Sequence, residues 1–390
     1  MSHSVPLRKR SLGRRAAVGP LSALVAMSTL AACGGGNSDA AAAPENTIAV
    51  EQVPDYYPAD YQQIIDASKD DGGVLELYSN TDQENWAPIF RDFQKKYPWV
   101  ETMNANNLDS DEVFQRVLSE QATGDSPADI LVSNAAQAWA EYGEDPSRIM
   151  EYQSPEIGEL PDFAQLMPNV YAFSMDPIVI PYNTSLMPEE PTGFADLARI
   201  VSENPDEFSD RLTSRDIGGA FGFTVAYNLM QGNPELWDAM EQLLPMARPE
   251  TSSGTQIEKI VAGEYLAGVN ISAAPTYPVL ENSGGLLEVT FADDGTVVLP
   301  RAVSIAPDAP HAATAKLFVD FLLSEEGQAA VAEGGLTSYR DSVEAAEGLH
   351  TYQEVVDAVG EDNVIIAPYE LISDEEIAAF TERWNGLLEG

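Results

Sequence analysis

Residues 73–97 read GVLELYSNTDQENWAPIFRDFQKKY, and this stretch decides the fold class. Val74 to Tyr78 is a short apolar run that ends in the polar turn Ser79-Asn80-Thr81-Asp82. Trp86, Phe90, Phe93 and Tyr97 then recur at helical spacing, and Pro98 stops the helix. Strand, polar turn, helix is the repeating unit of an open parallel sheet. The unit returns downstream. Asp109 with Glu112 three residues on opens a second helix as a capping box, with Val113, Val117 and Leu118 on one face. Ala128 to Val132 is the next apolar strand, and it ends in Ser133-Asn134 before a helix carrying Trp139.

The middle of the chain continues the theme. Ile178 to Pro181 reads as a strand, Thr192 as the cap of a helix with Phe194, Leu197 and Ile200, and Phe221 to Ala226 as a further strand. A helix from Pro234 to Met246 buries Leu236, Trp237, Met240 and Leu244. Thr251-Ser252-Ser253-Gly254-Thr255 opens another helix, followed by a strand from Tyr265 to Ile271. Leu286 to Phe291 and Thr296 to Leu299 flank Asp293-Asp294-Gly295, the pattern of a hairpin with a tight Asp-Gly turn.

The N-terminus has a different logic. Arg8, Lys9, Arg10, Arg14 and Arg15 precede an uncharged run from Ala16 to Ala32, which is interrupted by Gly19-Pro20 and ends in small residues. That is the layout of an export signal rather than of a membrane span. Cys33 is the single cysteine, so the mature chain has neither a disulfide nor a thiol nucleophile. The formal charge is −43, and loss of the five N-terminal bases leaves −48 on the remainder. Such a surface repels nucleic acid and reads as a solvated coat. His311 and His350 stand in separate segments, which gives no metal site, and no Gly-x-Ser-x-Gly elbow is present.

LAAC at 30–33, VIPYNTSLMPEEPTGFADL at 179–197, IVAGEYLAGVNIS at 260–272, AATAKLFVDFLLSEEGQ at 312–328 and LTSYRDSV at 336–343 together resemble segments of bacterial extracellular solute-binding lipoproteins that serve ATP-driven (ABC) importers, in the ferric-iron, thiamine and phosphonate branch. Leu30-Ala31-Ala32-Cys33 resembles the lipobox, in which the cysteine is lipidated. AATAKLFVDFLLSEEGQ at 312–328 is similar to the family's "AAK-F-DFLLS-EGQ" helix. VIPYNTSLMPEEPTGFADL at 179–197, IVAGEYLAGVNIS at 260–272 and LTSYRDSV at 336–343 are similar to its other hallmarks. The resemblance implies an α/β, two-lobed periplasmic-binding-protein type II fold, each lobe an open mostly parallel sheet flanked by helices and joined by a hinge. It implies a signal at 1–33, a flexible linker at 34–46, one lobe from 47–170 plus 300–345, a second from 171–299, and a C-terminal segment, 346–390, packing on a lobe. Its partners would be a small-molecule solute and the permease subunits, with the monomer lipid-anchored at Cys33 on the outer face of the cytoplasmic membrane. No cofactor is implied.

Ligands of open α/β sheets bind where strands pass into helix N-termini. The turns of that kind offer Asn80 and Thr81, Ser133 and Asn134, and Ser252, Ser253 and Thr255. Ferric members of the family hold iron with adjacent tyrosines just after the strand that 260–272 resembles. Here that region begins at Asn270 and reads Asn270-Ile271-Ser272-Ala273-Ala274-Pro275, with Tyr277 following. Ferric iron needs hard anionic oxygen ligands. The expectation is therefore a phosphonate, phosphate ester or carboxylate held by Ser252, Ser253 and Thr255, with Asn80, Ser133 or Tyr277 across a cleft. Ferric capture is the alternative, and a surface hydrolase using paired carboxylates a second one.

Replacing Cys33 with Ser should release the protein to the medium or leave an unprocessed precursor. Membrane fractionation reads the outcome, and a membrane-bound variant of mature size would remove the lipobox.

Overall fold

The computed structural model describes residues 53–124, 127–346 and 348–389; the export signal, Cys33 and the linker lie outside the described residues. In chain order the strands are β1 (Val74–Ser79), β2 (Thr102–Asn107), β3 (Ile130–Ser133), β4 (Gln165–Met167), β5 (Val170–Asn183), β6 (Leu212–Arg215), β7 (Ala247–Glu250), β8 (Ala267–Val269), β9 (Ile271–Ser272), β10 (Leu287–Thr290), β11 (Thr296–Ile305), β12 (Thr337–Ser338), β13 (His350–Thr351) and β14 (Val364–Ile366). Among the described residues no helix is long and apolar enough to cross a membrane.

In the first lobe β1 lies between β2 and β3, parallel to both. β3 then pairs antiparallel with β11, and β11 with the first half of β5. In the second lobe the end of β5 pairs antiparallel with β10 and β8, and β8, β6 and β7 run parallel. The strands form one hydrogen-bonded path, β2-β1-β3-β11-β5-β8-β6-β7, because β5 belongs to both sheets. Every residue of β5 is buried. Its partner changes at Pro177, opposite Val298 of β11, after which Ile178 faces Ser272. Proline has no N–H for the ladder, so it suits a strand passing from one sheet to another.

Local chemistry explains the first unit. Gly72 and Gly73 take φ of 85° and 71° just ahead of β1. A Cβ on Gly73 would stand 2.7 Å from the Trp99 carbonyl oxygen, so the entry to β1 excludes a side chain. The Gln83–Lys96 helix buries Trp86, Ile89 and Phe93, and Phe93 meets Phe318 edge to face with centroids 5.0 Å apart. The second lobe has its own core, to which Phe380 and the fully buried Trp384 of the Asp374–Glu389 helix belong.

Four local expectations are corrected. Phe221 to Ala226 is part of a helix, Ala220–Gly232, not a strand. Residues 221 to 230 are all buried, so the run is covered on every side and carries no period that separates helix from strand. β10 and β11 do not form a hairpin, since β10 pairs with β5 in the second lobe and β11 with β3 and β5 in the first. Asp294 between them caps another element: its carboxylate accepts the N–H groups of Phe194 and Ala195 at 3.0 and 2.7 Å. That takes the role expected of Thr192, and Gly193 is the N-cap of the Phe194–Glu203 helix. Leu118 is exposed, and Phe114 joins Val113 and Val117 on the buried face instead.

A buried acid ties the start of the described chain to the first lobe. The Tyr61 and Tyr152 hydroxyls donate to Asp320 Oδ2 at 2.7 and 2.5 Å. Tyr57 and Arg340 hold Glu156 beside it, at 2.5 and 2.7 Å. Burial pushes the Asp320 carboxyl from 3.8 up to about 7. The fold therefore favours its neutral form, whose stabilisation is present at low pH and lost as pH rises through about 7. Asp320→Asn should flatten that dependence between pH 4 and 8. The check is the difference in melting temperature between parent and variant across the range, and an unchanged slope would refute it.

Candidate functional site

A cavity of about 390 Å³ opens where the strands of both lobes end. From the first lobe it is lined by Asn80, Thr81 and Asp82 after β1, Asn107 to Ser110 after β2, and Asn134 after β3. From the second come Arg215 at the end of β6, Phe221, the turn Thr251 to Gly254 after β7, and Ser272, Ala274 and Pro275. Arg301 enters from β11.

Arg301 organises the first-lobe side. Its Nε and Nη2 donate to Asp176 Oδ2 at 2.8 and 2.7 Å, and both side chains are buried. Its Nη1 donates to Thr81 Oγ1 at 2.8 Å and to Asn80 Oδ1 at 3.2 Å. Asn80 in turn donates to Ser110 Oγ at 2.9 Å and Asn134 Oδ1 at 2.7 Å. One guanidinium thus fixes the turns after β1, β2 and β3. Its charge is spent on Asp176, and what it presents to the cavity is position.

Arg215 is the contrasting group. Its Nη1 is buried without a hydrogen-bond partner among the described residues, and its Cζ sits 5.0 Å from the Phe221 ring. Burial draws the guanidinium down to about 10 against the opposing pull of Asp109 and Asp216, so it stays charged at neutral pH. Beside it begins the Ser253–Val261 helix, where the Ser252 side chain accepts the Thr255 N–H at 3.4 Å as N-cap. Ser253 Oγ accepts from the Ser272 N–H at 3.5 Å. The first turn of this helix directs N–H groups and the positive end of its dipole toward the cavity. Nearby the lobes touch, where the Asp111 carboxylate, its pKa raised by burial, accepts from the Ala220 N–H.

Of the residues expected at the site, Asn80, Thr81, Asn134, Ser252 and Ser253 line the cavity. Ser133, Thr255, Asn270 and Tyr277 do not. The Ser133 hydroxyl is turned inward and accepts the Ala135 N–H at 3.2 Å. Thr255 is the third residue of its helix, where its N–H is taken by the Ser252 cap. Asn270 is buried at φ 62° between β8 and β9, where it breaks the single strand expected from Tyr265 to Ile271. Tyr277 is buried and stacks on His350 with centroids 3.4 Å apart. Neither arginine was among the expected residues. Arg301 had a signal, being a lone charge inside the apolar run Thr296 to Ile305. Arg215 had none, because β6 itself is not legible in the sequence.

The described lining contains neither tyrosine nor histidine, and among the described residues no group of three or more His, Cys, Asp or Glu could hold a metal ion.

The pattern described as bacterial extracellular solute-binding protein matches residues 89–356, and the chain belongs to that family. It is 25% identical over 288 residues to iron uptake protein A1 of Synechocystis sp., spanning 66% of this chain and 73% of that protein. A substrate binding protein of an ABC transporter from Agrobacterium tumefaciens has the same fold, with TM-score 0.72 and 19% identity over 81% of this chain and 94% of that one. The periplasmic binding protein AfuA from Actinobacillus pleuropneumoniae, in a structure with fructose-6-phosphate bound, gives TM-score 0.62 and 19% identity over 81% and 98%. The likeness is one of fold, the two-lobed type II architecture.

Arg301→Met should cost about 3–5 kcal/mol by leaving Asp176 buried and unpaired. Arg301→Lys should cost less, about 1–3 kcal/mol, by losing the fork but keeping the charge. Urea denaturation measures both, and a Met variant as stable as the parent would show that the pair does not hold the hinge strands.

Proposed function

We propose that the chain is the capture component of an ABC importer, anchored as a monomer through Cys33 outside the cytoplasmic membrane. It takes a small polar solute with an acidic head of the phosphonate, phosphate ester or carboxylate class and hands it to the permease without transforming it. The observation that carries this reading is Arg215, a charged guanidinium at the cavity with a buried Nη1 that no described residue bonds. The head would lie between that group and the free amides of Ser253 and Gly254, a pairing of cation and helix N-terminus suited to an oxyanion. At about 390 Å³ the cavity is near the small end of the range for small-molecule sites, about 300–1,000 Å³. Closure would bend the chain where β5 changes sheets at Pro177.

Ferric capture is the second reading, favoured by the named role of the Synechocystis relative. Against it stands a lining without phenolates, since iron(III) requires hard anionic ligands.

A thermal-shift screen over phosphonates, phosphate esters, carboxylates, thiamine and ferric citrate identifies the solute, because a ligand of the folded state raises the melting temperature by mass action. Calorimetry should then show Arg215→Gln weakening the acidic ligand by roughly 10- to 150-fold, the worth of hydrogen bonds to a charged group. Unchanged affinity removes Arg215 from the site, and ferric binding with no response to any acid transfers the function to iron.

A further inference from the structure

The two walls of the cavity carry opposite charge. The first-lobe wall holds two carboxylates, Asp82 and Asp109, while the second-lobe wall holds Arg215 and the start of the Ser253–Val261 helix, with no acid in the lining. Arg301 does not alter this count, because Asp176 neutralises it.

Neither first-wall acid is engaged as its sequence position suggests. Asp82 occupies the N-cap position of the Gln83–Lys96 helix, yet its side chain caps nothing and instead accepts from Asn107 Nδ2 at 2.8 Å at the mouth of the cavity. Asp109 uses its backbone N–H on Glu112 at 3.2 Å, and among the described residues no donor holds its carboxylate. Asp109 is near enough to Arg215 to oppose the loss of its proton, but no carboxylate lies within ion-pair distance of that guanidinium among the described residues. The poles therefore face each other across the cleft without closing on each other.

An acid with no other charge would satisfy Arg215 and bring its negative head into a cavity that already holds two carboxylates. A cation alone would leave Arg215 unpaired. Resting on the reading that the cavity takes an acidic solute, we propose that this solute is dipolar: an amino-bearing acid whose head lies against Arg215 and the Ser253–Gly254 amides, and whose ammonium lies against Asp82 and Asp109. Each lobe then recognises one pole, and only a ligand with both draws the walls together. The selectivity is built from repulsion as well as attraction, since the first wall disfavours the plain acid.

The test uses matched pairs that differ only in the amine: 2-aminoethylphosphonate against ethylphosphonate, and 3-aminopropanoate against propanoate. Calorimetry on the full mature chain should give at least a tenfold preference for the amino member of a pair. Asp82→Asn with Asp109→Asn should bring the two affinities together, and Arg215→Gln should weaken both members. Both acids are exposed, and a melting curve confirms that the double variant is folded. If the parent binds ethylphosphonate or propanoate as tightly as its amino partner, the dipolar assignment falls while acid capture stands. If the preference persists in the folded double variant, the two aspartates are not its source and the assignment falls likewise. If none of the four probes binds and ferric citrate does, acid capture falls and takes this inference with it.

Discussion

The ion pair of Arg301 with Asp176 is the constraint on which the rest of the site depends. Two charges buried in a protein interior are costly unless each is matched with good geometry. Here the match is a two-pronged contact at 2.8 and 2.7 Å. The partners belong to the two strands that run side by side toward the second lobe, Asp176 on β5 and Arg301 on β11. Asp176 is followed by Pro177, where β5 leaves one sheet for the other. The pair therefore fixes the last point at which the strands are still locked together. The remaining prong of the guanidinium reaches Thr81 and Asn80, so the hinge and the first-lobe wall share one rigid element.

Arg215, in the second lobe, is the lining cation that Asp176 does not neutralise. With a formal charge of −43 on the chain, an anionic solute approaching from outside meets a repulsive field. At physiological ionic strength this field decays over about 8 Å, whereas a partly buried guanidinium acts at contact and is screened far less. On the proposed reading, Arg215 would then act on an acidic head at contact despite a surface of the opposite sign.

How much of this was legible in the sequence follows from what each signal measures. The unit from 73 to 97 was readable because its strand and helix have different periods and a polar turn between them. The chemistry of turns was readable for the same reason, and Asn80, Thr81, Asn134, Ser252 and Ser253 line the cavity. Phe221 to Ala226 was not, since complete burial erases the period. The turn at Asp293-Asp294 is genuine, closed by the Gly295 N–H on the Ala292 carbonyl at 3.2 Å, but a turn does not say which sheet each arm joins. Only side-chain direction separates Ser133 and Tyr277 from the cavity: the Ser133 hydroxyl accepts the Ala135 N–H, and Tyr277 stacks on His350. What distinguishes Arg301 from Arg215 is pairing in space: Arg301 has its carboxylate and Arg215 does not.

The C-terminal segment shows why the two lobes cannot move freely. β14 adds a strand beside β11, and Tyr369 donates to the Pro300 carbonyl at 2.6 Å within the first-lobe core. The chain then meets Gln137 of the first lobe, which accepts the Ile372 N–H at 2.9 Å. Four residues later Glu376 accepts the Tyr227 hydroxyl at 2.6 Å, and Trp384 is buried in the second-lobe core. A segment held on both sides of the cleft shortens the range over which the lobes can separate. Each core is close-packed and resists deformation, so the motion left to the molecule is a rotation about Pro177 and the few residues between Tyr369 and Glu376. The first of these stands one residue from Asp176, the partner of Arg301. The first-lobe wall, tied to that pair through Thr81 and Asn80, would then move as one piece with the strand that leads up to Pro177.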